Sequence, residues 1–494
     1  MKNTFLLILM IPFFSFAQKQ GNVWYFGDHG GVDFSTGSPI ALANGQIGYG
    51  NGVLHMEGTS AICDSAGKLL FYTEGMNVWN KNHQLMMNGT GLLGNYSSTQ
   101  SSIIVPDPGN PNRYFYLFTI SSGFCCNGNM SDGMRYSKID ICLDNTLGDI
   151  MPNLKNIKVV DTVTEKIAVT KHANGVDYWI LTHKFYSDQY WALHLTSNGI
   201  TDTVISAIGS IHDGYIGRTQ GQMKFSNNGN KIAIGGSNGI DILEICDFNK
   251  STGVVSNSKK IKKINNDKAS TYGVEFSADN SKLYVHGLTT MGPMYVYFAQ
   301  YDLNAGGGNI DSINASLYRI YKDSVGLIAP CGLQIAPDDK IYLVSINDQT
   351  TLSVVNNPNV QGAGCNYQDQ AIALAANTSG SYSLPSFIAG FDYNNGLTQC
   401  DVTEPNNTTS FDMDQSILIS PNPFSDLTTI HIPKSAQNTS LMLINCFGET
   451  IRKIHTGSEN VITLYREHIA AGLYFLRWAD TKNNSHAIKL LIVD

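Results

Sequence analysis

The chain has 494 residues, 42% of them hydrophobic and only 15% charged, which suits one large folded core with a smaller one beside it and excludes an intrinsically disordered chain. A net charge of -8, with no Lys/Arg cluster beyond the short Lys259-Lys260-Ile261-Lys262-Lys263 run, argues against nucleic acid or an anionic membrane surface as partner. Glycine is abundant (47 residues) alongside Asn, Ser, Thr, Tyr and Ile, the mixture that many short strands joined by tight turns require, so the expected fold class is all-β.

The first element is an export signal. Lys2 supplies a positive start, Phe5 to Phe16 form an apolar run interrupted by Pro12 and Ser15, and Ser15-Phe16-Ala17 offers small residues where a signal peptidase reads them. Cleavage after Ala17 leaves Gln18 as the mature N-terminus. The run is short for a bilayer span and holds a proline, and no later stretch reaches span length, so no transmembrane segment is expected.

From there to about residue 400 a turn followed by a short strand recurs. Instances are Ser65 to Tyr72, Gly109 to Tyr116 and Asn174 to Ile180, with three closer copies at Phe225 to Ile234, Phe276 to Val285 and Ile335 to Val344. Each reads as a hairpin: apolar strand, Asn/Asp/Gly turn, second apolar strand. Third strands follow in Gly239 to Ile245 and Met294 to Phe298. Copies roughly fifty residues apart, each a small antiparallel sheet, predict propeller blades. A seventh blade is assembled from the two ends, Val23 to Phe26 pairing beside Ser386 to Phe391, which would hide both edges. The expectation is a seven-bladed β-propeller over residues 18–400.

Nine cysteines cannot all pair within one chain, and their spacing fits no zinc or redox motif. Export makes disulfides plausible; the candidate pairs are Cys125 or Cys126 with Cys142, and two among Cys331, Cys365 and Cys400. Cys63 and Cys446 fall in apolar strand patterns and read as small buried hydrophobes. No nucleophile elbow, His-x-x-x-His, phosphate loop or EF-hand loop appears, so no cofactor, metal or catalytic residue is assigned. The candidate binding residues are His172, His183, His194 and Trp191, in a repeat that also holds His212, Tyr178, Trp179, Tyr186 and Tyr190. Imidazoles there would take a metal, or the rings stack on a sugar, against the plainer reading of packing in a Tyr-rich blade. Glu57, Glu74 and Asp213 are the acid-base carboxylates on offer, with nothing in the sequence to bring two together.

After Cys400 the polar stretch 401–415 reads as a linker, and alternating segments from Ile417 onward predict a small Ig-like β-sandwich over 416–494.

Several motifs carry resemblances. Trp24-Tyr25-Phe26-Gly27, Asp33 to Pro39, Leu70-Phe71-Tyr72-Thr73, Val78-Trp79-Asn80, Thr99 to Pro106, Gln334 to Tyr342 and Leu384 to Phe387 resemble a propeller family common in secreted proteins of Bacteroidota. Ser420-Pro421-Asn422-Pro423-Phe424, Asn445-Cys446-Phe447-Gly448, Ala471 to Phe475 and Lys489 to Val493 resemble the type A sorting domain of type IX secretion substrates. That likeness implies export to the outside or the outer cell surface, with the type IX machinery as partner. Five Asp-Ser/Thr triplets, centred on Ser65, Thr162, Thr203, Ser312 and Ser324, resemble acceptors of Bacteroidota O-glycosylation. The expected function is binding of a protein or polysaccharide ligand; the competing reading is an extracellular hydrolase or lyase acting on glycans. An open channel with converging His and carboxylate groups would favour the enzyme, and a plugged one would favour binding.

Overall fold

The structure, a computed structural model, describes residues 19–48, 57–122, 132–213, 219–236, 242–262, 269–289, 295–324, 331–345, 347–398, 400 and most of 417–493. The signal segment with its cleavage point, Cys125, Cys126, Cys446 and the 401–415 linker lie outside the described residues. The chain divides into two compact units, 1–400 and 401–494.

The described residues of the first unit hold seven antiparallel sheets, each built from consecutive strands. Their first strands are Val23–Phe26, Ser60–Cys63, Ser102–Pro106, Val163–Lys171, Met223–Phe225, Ala269–Phe276 and Gln334–Ile335, all fully buried. Each first strand packs against the first strand of the next sheet. The seventh sheet returns to the first where the Tyr342 ring meets Trp24 and Phe34, at 6.1 and 5.3 Å between ring centres. Radial sheets whose innermost strands surround one axis define a β-propeller.

Turn chemistry explains the repeat. Phe225 pairs with Ile232, Phe276 with Leu283 and Ile335 with Ile341. The turns between them place Gly229, Asn280 and Asp339 in left-handed backbone, at φ of 73°, 64° and 61°. Gly, Asn and Asp tolerate that region best, so the polar residues at this position are a backbone requirement. At Gly229 space matters too, since a Cβ would lie 2.2 Å from Thr170 Oγ1.

Ring closure differs from expectation. Ser386 to Phe391 form no strand of the first sheet; after Tyr367–Ala373 Ser379 makes isolated bridges with Asp28 and His29, and a 3-10 turn follows at Ala389–Phe391. Pro385 has no N–H for a ladder, Ser386 N donates at 2.8 Å to Thr59 O, just before the second sheet's first strand, and Gly390 turns at φ 63°. The two ends are neighbours all the same. Phe387 packs on Trp24 with ring centres 5.6 Å apart, and Phe391 packs on Phe387 at 5.2 Å.

The cysteine pairing is also corrected. Cys142 joins Cys400, Cα atoms 5.1 Å apart, and so pairs with neither Cys125 nor Cys126; Cys331 and Cys365 are buried thiols outside any disulfide, as are Cys63 and Cys246. The reason is the path of the last segment, which carries Cys400 back beneath the third sheet.

The second unit has two sheets. Leu418–Ser420, Leu427–His431 and Val461–Tyr465 form one; Thr450–His455, Ser440–Asn445, Gly472–Ala479 and Ser485–Ile492 form the other. Alternating residues Ile430, Leu441, Leu443, Leu464, Leu476 and Leu490 fill a small core. Asn422 clamps the last strand, donating from Nδ2 to Lys489 O at 2.8 Å and accepting from Leu491 N at 2.9 Å.

Candidate functional site

The axis of the propeller is lined by buried polar side chains at two levels, and the apolar Phe387 and Ile388 enter at the second. The nine-residue strand Val163–Lys171 carries Thr164, Glu165 and Lys166 into the first, all fully buried. Glu165 accepts from Thr99 N and Oγ1 (3.1 Å each), Ser122 Oγ (2.8 Å) and Thr219 Oγ1 (3.2 Å). Glu57 accepts from Tyr272 OH and, more weakly, from Ser97 Oγ at 3.4 Å. Burial, and then the Glu165 charge, push the Glu57 carboxyl up to about 8; burial raises Glu165 as well. Lys166 Nζ donates to Thr219 O and Gln220 O at 2.7 and 2.8 Å, and burial pulls it down to about 7 against the attraction of Glu165. Two neighbouring acids that resist charging are acid-base equipment in kind, yet here both side chains are buried among the described residues.

Further along the axis, glutamines take the place of ladder bonds between first strands. Gln100 accepts from Met223 N (2.8 Å) and donates to Ile167 O (2.9 Å); Gln222 accepts from Leu333 N (2.9 Å) and Val274 N (3.2 Å). Lys224 pairs with Glu275 at 3.3 Å and with Gln334. Here Ser386 to Phe391 enter, leaving a cavity of about 20 Å³, room for roughly one water. The segment is then fastened outward. Lys171 pairs with Asp392, Asn394 N donates to Tyr178 OH (3.0 Å), Gln20 Nε2 donates to Asn395 O (2.9 Å), Asn395 Nδ2 donates to Cys63 O (3.1 Å), and Cys400 is bonded to Cys142. Among the described residues, this segment plugs the axis at the level it enters.

The sequence candidates fall into separate places. His172 and His194 lie together at the rim of the fourth sheet, rings stacked at 4.7 Å, with His194 also on Trp179 at 4.6 Å. Asp177, which sequence reasoning passed over, joins them: among the described residues these three are the one group of at least three His, Cys, Asp or Glu side chains with ligand atoms within 4.8 Å of one another. His183 is elsewhere, fully buried with His212 (4.0 Å) and Tyr190 (4.7 Å). Burial drops His183 to about 3 and His212 well below the usual imidazole range, so both stay neutral. Trp191 belongs to neither group; Lys184 Nζ sits over its ring at 5.4 Å. Glu74 is buried on the Asn77 N and Nδ2 donors, and burial pushes it up to about 7. Asp213 follows the strand Gly199–His212. Sequence reasoning missed Glu165, whose signal was a Thr-Glu-Lys run inside an otherwise apolar strand. Of the triplet residues, Ser65 and Thr203 are exposed, Thr162 and Ser312 half-buried, and Ser324 ends a strand with its side chain outside the described residues.

The fold is an all-β propeller followed by a second compact unit, a small sandwich. Residues 418–494 match the family described as the secretion system C-terminal sorting domain. The chain therefore carries a type IX sorting tail, engages that machinery through it, and is exported, either released or held at the surface. No helix among the described residues is long and apolar enough to cross a membrane. Among solved structures, the chain is similar to PorZ, an essential bacterial surface component of the type-IX secretion system of Porphyromonas gingivalis, at 12% identity over 96% of this chain and 60% of that one, with a TM-score of 0.35. It thus spans three fifths of the PorZ chain. It is also similar to the Pseudomonas aeruginosa periplasmic gluconolactonase PpgL (13% identity, 80% of this chain, 97% of that one, TM-score 0.36) and to the Myceliophteria thermophila Cps50 (Swd1) β-propeller domain (10%, 79%, 96%, 0.30). No curated protein matches the chain.

Proposed function

We propose that this exported propeller is a binding module for a protein or polysaccharide, with its ligand contacts on the rim and outer surfaces and no catalysis in the channel. The observation that carries this reading is the plug: Ser386 to Phe391 fill one level of the axis among the described residues and leave a cavity of about 20 Å³, where an active site there would need several hundred. Glu57 and Glu165 have the raised acidity thresholds of a catalytic pair, and they favour the hydrolase or lyase alternative in chemistry alone. Their oxygens are committed to Tyr272, Thr99, Ser122 and Thr219, and both side chains are buried among the described residues. In the same reading Ala17 is the last residue removed on export, 401–415 tethers the sorting domain, and Ser65 and Thr203 are the first O-glycosylation acceptors because they are exposed.

The test is a glycan and protein binding screen on the mature chain, run beside assays with glycosidase, lyase and lactonase substrates. Saturable binding without turnover is expected. Turnover that Glu165→Gln abolishes overturns the proposal.

A further inference from the structure

We propose that His172, Asp177 and His194 bind one borderline divalent cation of the Zn²⁺ class at the rim of the fourth sheet. The hairpin turn brings the first two together, since His172 N donates to Asp177 O at 2.8 Å. Strand register brings the third, because His194 lies opposite Trp179, two residues beyond Asp177. Any two of the three ligand atoms are within 4.8 Å, a spread that small side-chain rotations close to metal distance.

The rings are held before any ion arrives. Trp179 is fixed by its Nε1 donating to Lys250 O at 2.8 Å, His194 stacks on Trp179, and His172 stacks on His194. His172 Nε2 faces Ser251 O at 3.3 Å, so that nitrogen carries the proton and Nδ1 keeps its lone pair, where it now accepts from Asn174 N at 3.0 Å. A ligating histidine whose other ring nitrogen donates to a carbonyl is the usual supporting arrangement for a metal. His194 Nε2 stands 3.2 Å from Asp177 Oδ2 but makes no well-aligned hydrogen bond, and a cation shared with Asp177 supplies the partner that this buried nitrogen lacks. Asn174 Nδ2 donates to Asp177 Oδ2 at 2.7 Å, so a bound ion displaces Asn174 from both neighbours.

Two imidazoles and one carboxylate select zinc, copper or nickel over calcium and magnesium, which prefer all-oxygen sites. Three protein ligands leave at least one coordination position open. The three side chains are half-buried, so an ion has access from water, and a cleft of about 590 Å³ lined by Ala173, Asn230, Asp247, Asn249, Lys250 and Ser251 adjoins His172. The open position is thus available to a ligand group held in that cleft.

The experiment is a Zn²⁺ titration of the untagged mature chain, stripped with EDTA, against a chromophoric chelator, with the visible spectrum of the Co²⁺ form as second readout. One equivalent per chain is expected. His194→Gln and Asp177→Asn should each weaken binding by about tenfold or more, while His83→Gln leaves it unchanged, and melting curves certify that each variant is folded. The proposal falls if folded wild-type chain takes up no stoichiometric zinc, or if uptake and the cobalt spectrum survive both substitutions.

Discussion

The axis of the propeller and the rim of its fourth sheet draw on similar side chains and put them in opposite conditions. In the axis, Glu57, Glu165 and Lys166 are sealed among hydroxyls and carbonyls, and their titration is displaced toward the neutral forms. At the rim, His172, Asp177 and His194 are half-buried, with ligand atoms turned toward one another. Converging titratable groups therefore do not by themselves mark a site; access decides. The axis is a structural polar core, high in stakes because an unsatisfied member there would cost about 1 to 3 kcal/mol. The rim is where an ion or ligand can arrive.

The comparison breaks first at the plug. Phe387→Ala should destabilise the propeller by about 3 to 5 kcal/mol in chemical or thermal unfolding, because the ring packs against Trp24 and Phe391 and leaves a cavity. Wild-type melting of that variant would remove the segment from the core. Next in size is Cys400→Ser, expected to cost about 2 to 4 kcal/mol under non-reducing conditions, since it frees the end of a segment bonded to a residue 258 positions earlier. An unchanged midpoint would mean that Phe387 and Phe391 anchor the plug without it.

Acidity sharpens the contrast. Glu57 titrates near 8 in the fold and near 4.5 in a free chain, so the folded state holds the extra proton between those values and stability falls as pH rises through them. Lys166, lowered to about 7, and His183, lowered to about 3, act with the opposite sign, adding stability as pH rises above 7 and from about 3 to 6.5 respectively. The difference between Glu57→Gln and wild type isolates the carboxyl. It should shift in favour of the glutamine by up to about 1.4 kcal/mol per pH unit between pH 5 and 8, and a difference that does not vary with pH would contradict the buried acid. Smallest of all, deleting 401–494 should move the propeller's melting by less than about 1 kcal/mol, because the chain divides into two compact units after Cys400.

The hairpins were legible because Gly229, Asn280 and Asp339 occupy a turn position where the backbone itself demands such residues. The sorting tail was legible from motifs that the fold uses, as Asn422 on the last strand illustrates. The plug was misread: Phe387, Ile388 and Phe391 carry the apolar weight of a strand, and only Pro385 and Gly390 hinted that the backbone leaves the ladder. Glu165 was hidden because Thr-Glu-Lys in a strand reads as a solvated face unless the strand lines a closed axis. The histidine cluster was visible as composition, but strand pairing divided it, sending His194 to the rim with His172 and His183 inward with His212. The link from Cys142 to Cys400 depends on a chain path that no local pattern encodes.

Hydrogen exchange of the mature chain across residues 384–396 tests the closed axis most directly. Ser386 N is bonded to Thr59 O, Ile388 N to Tyr393 OH and Phe391 N to Ile388 O, so these amides should be protected to nearly the level of the first strands around them. Exchange of this segment at the rate of a free peptide, while those strands stay protected, would show an open channel and contradict the account.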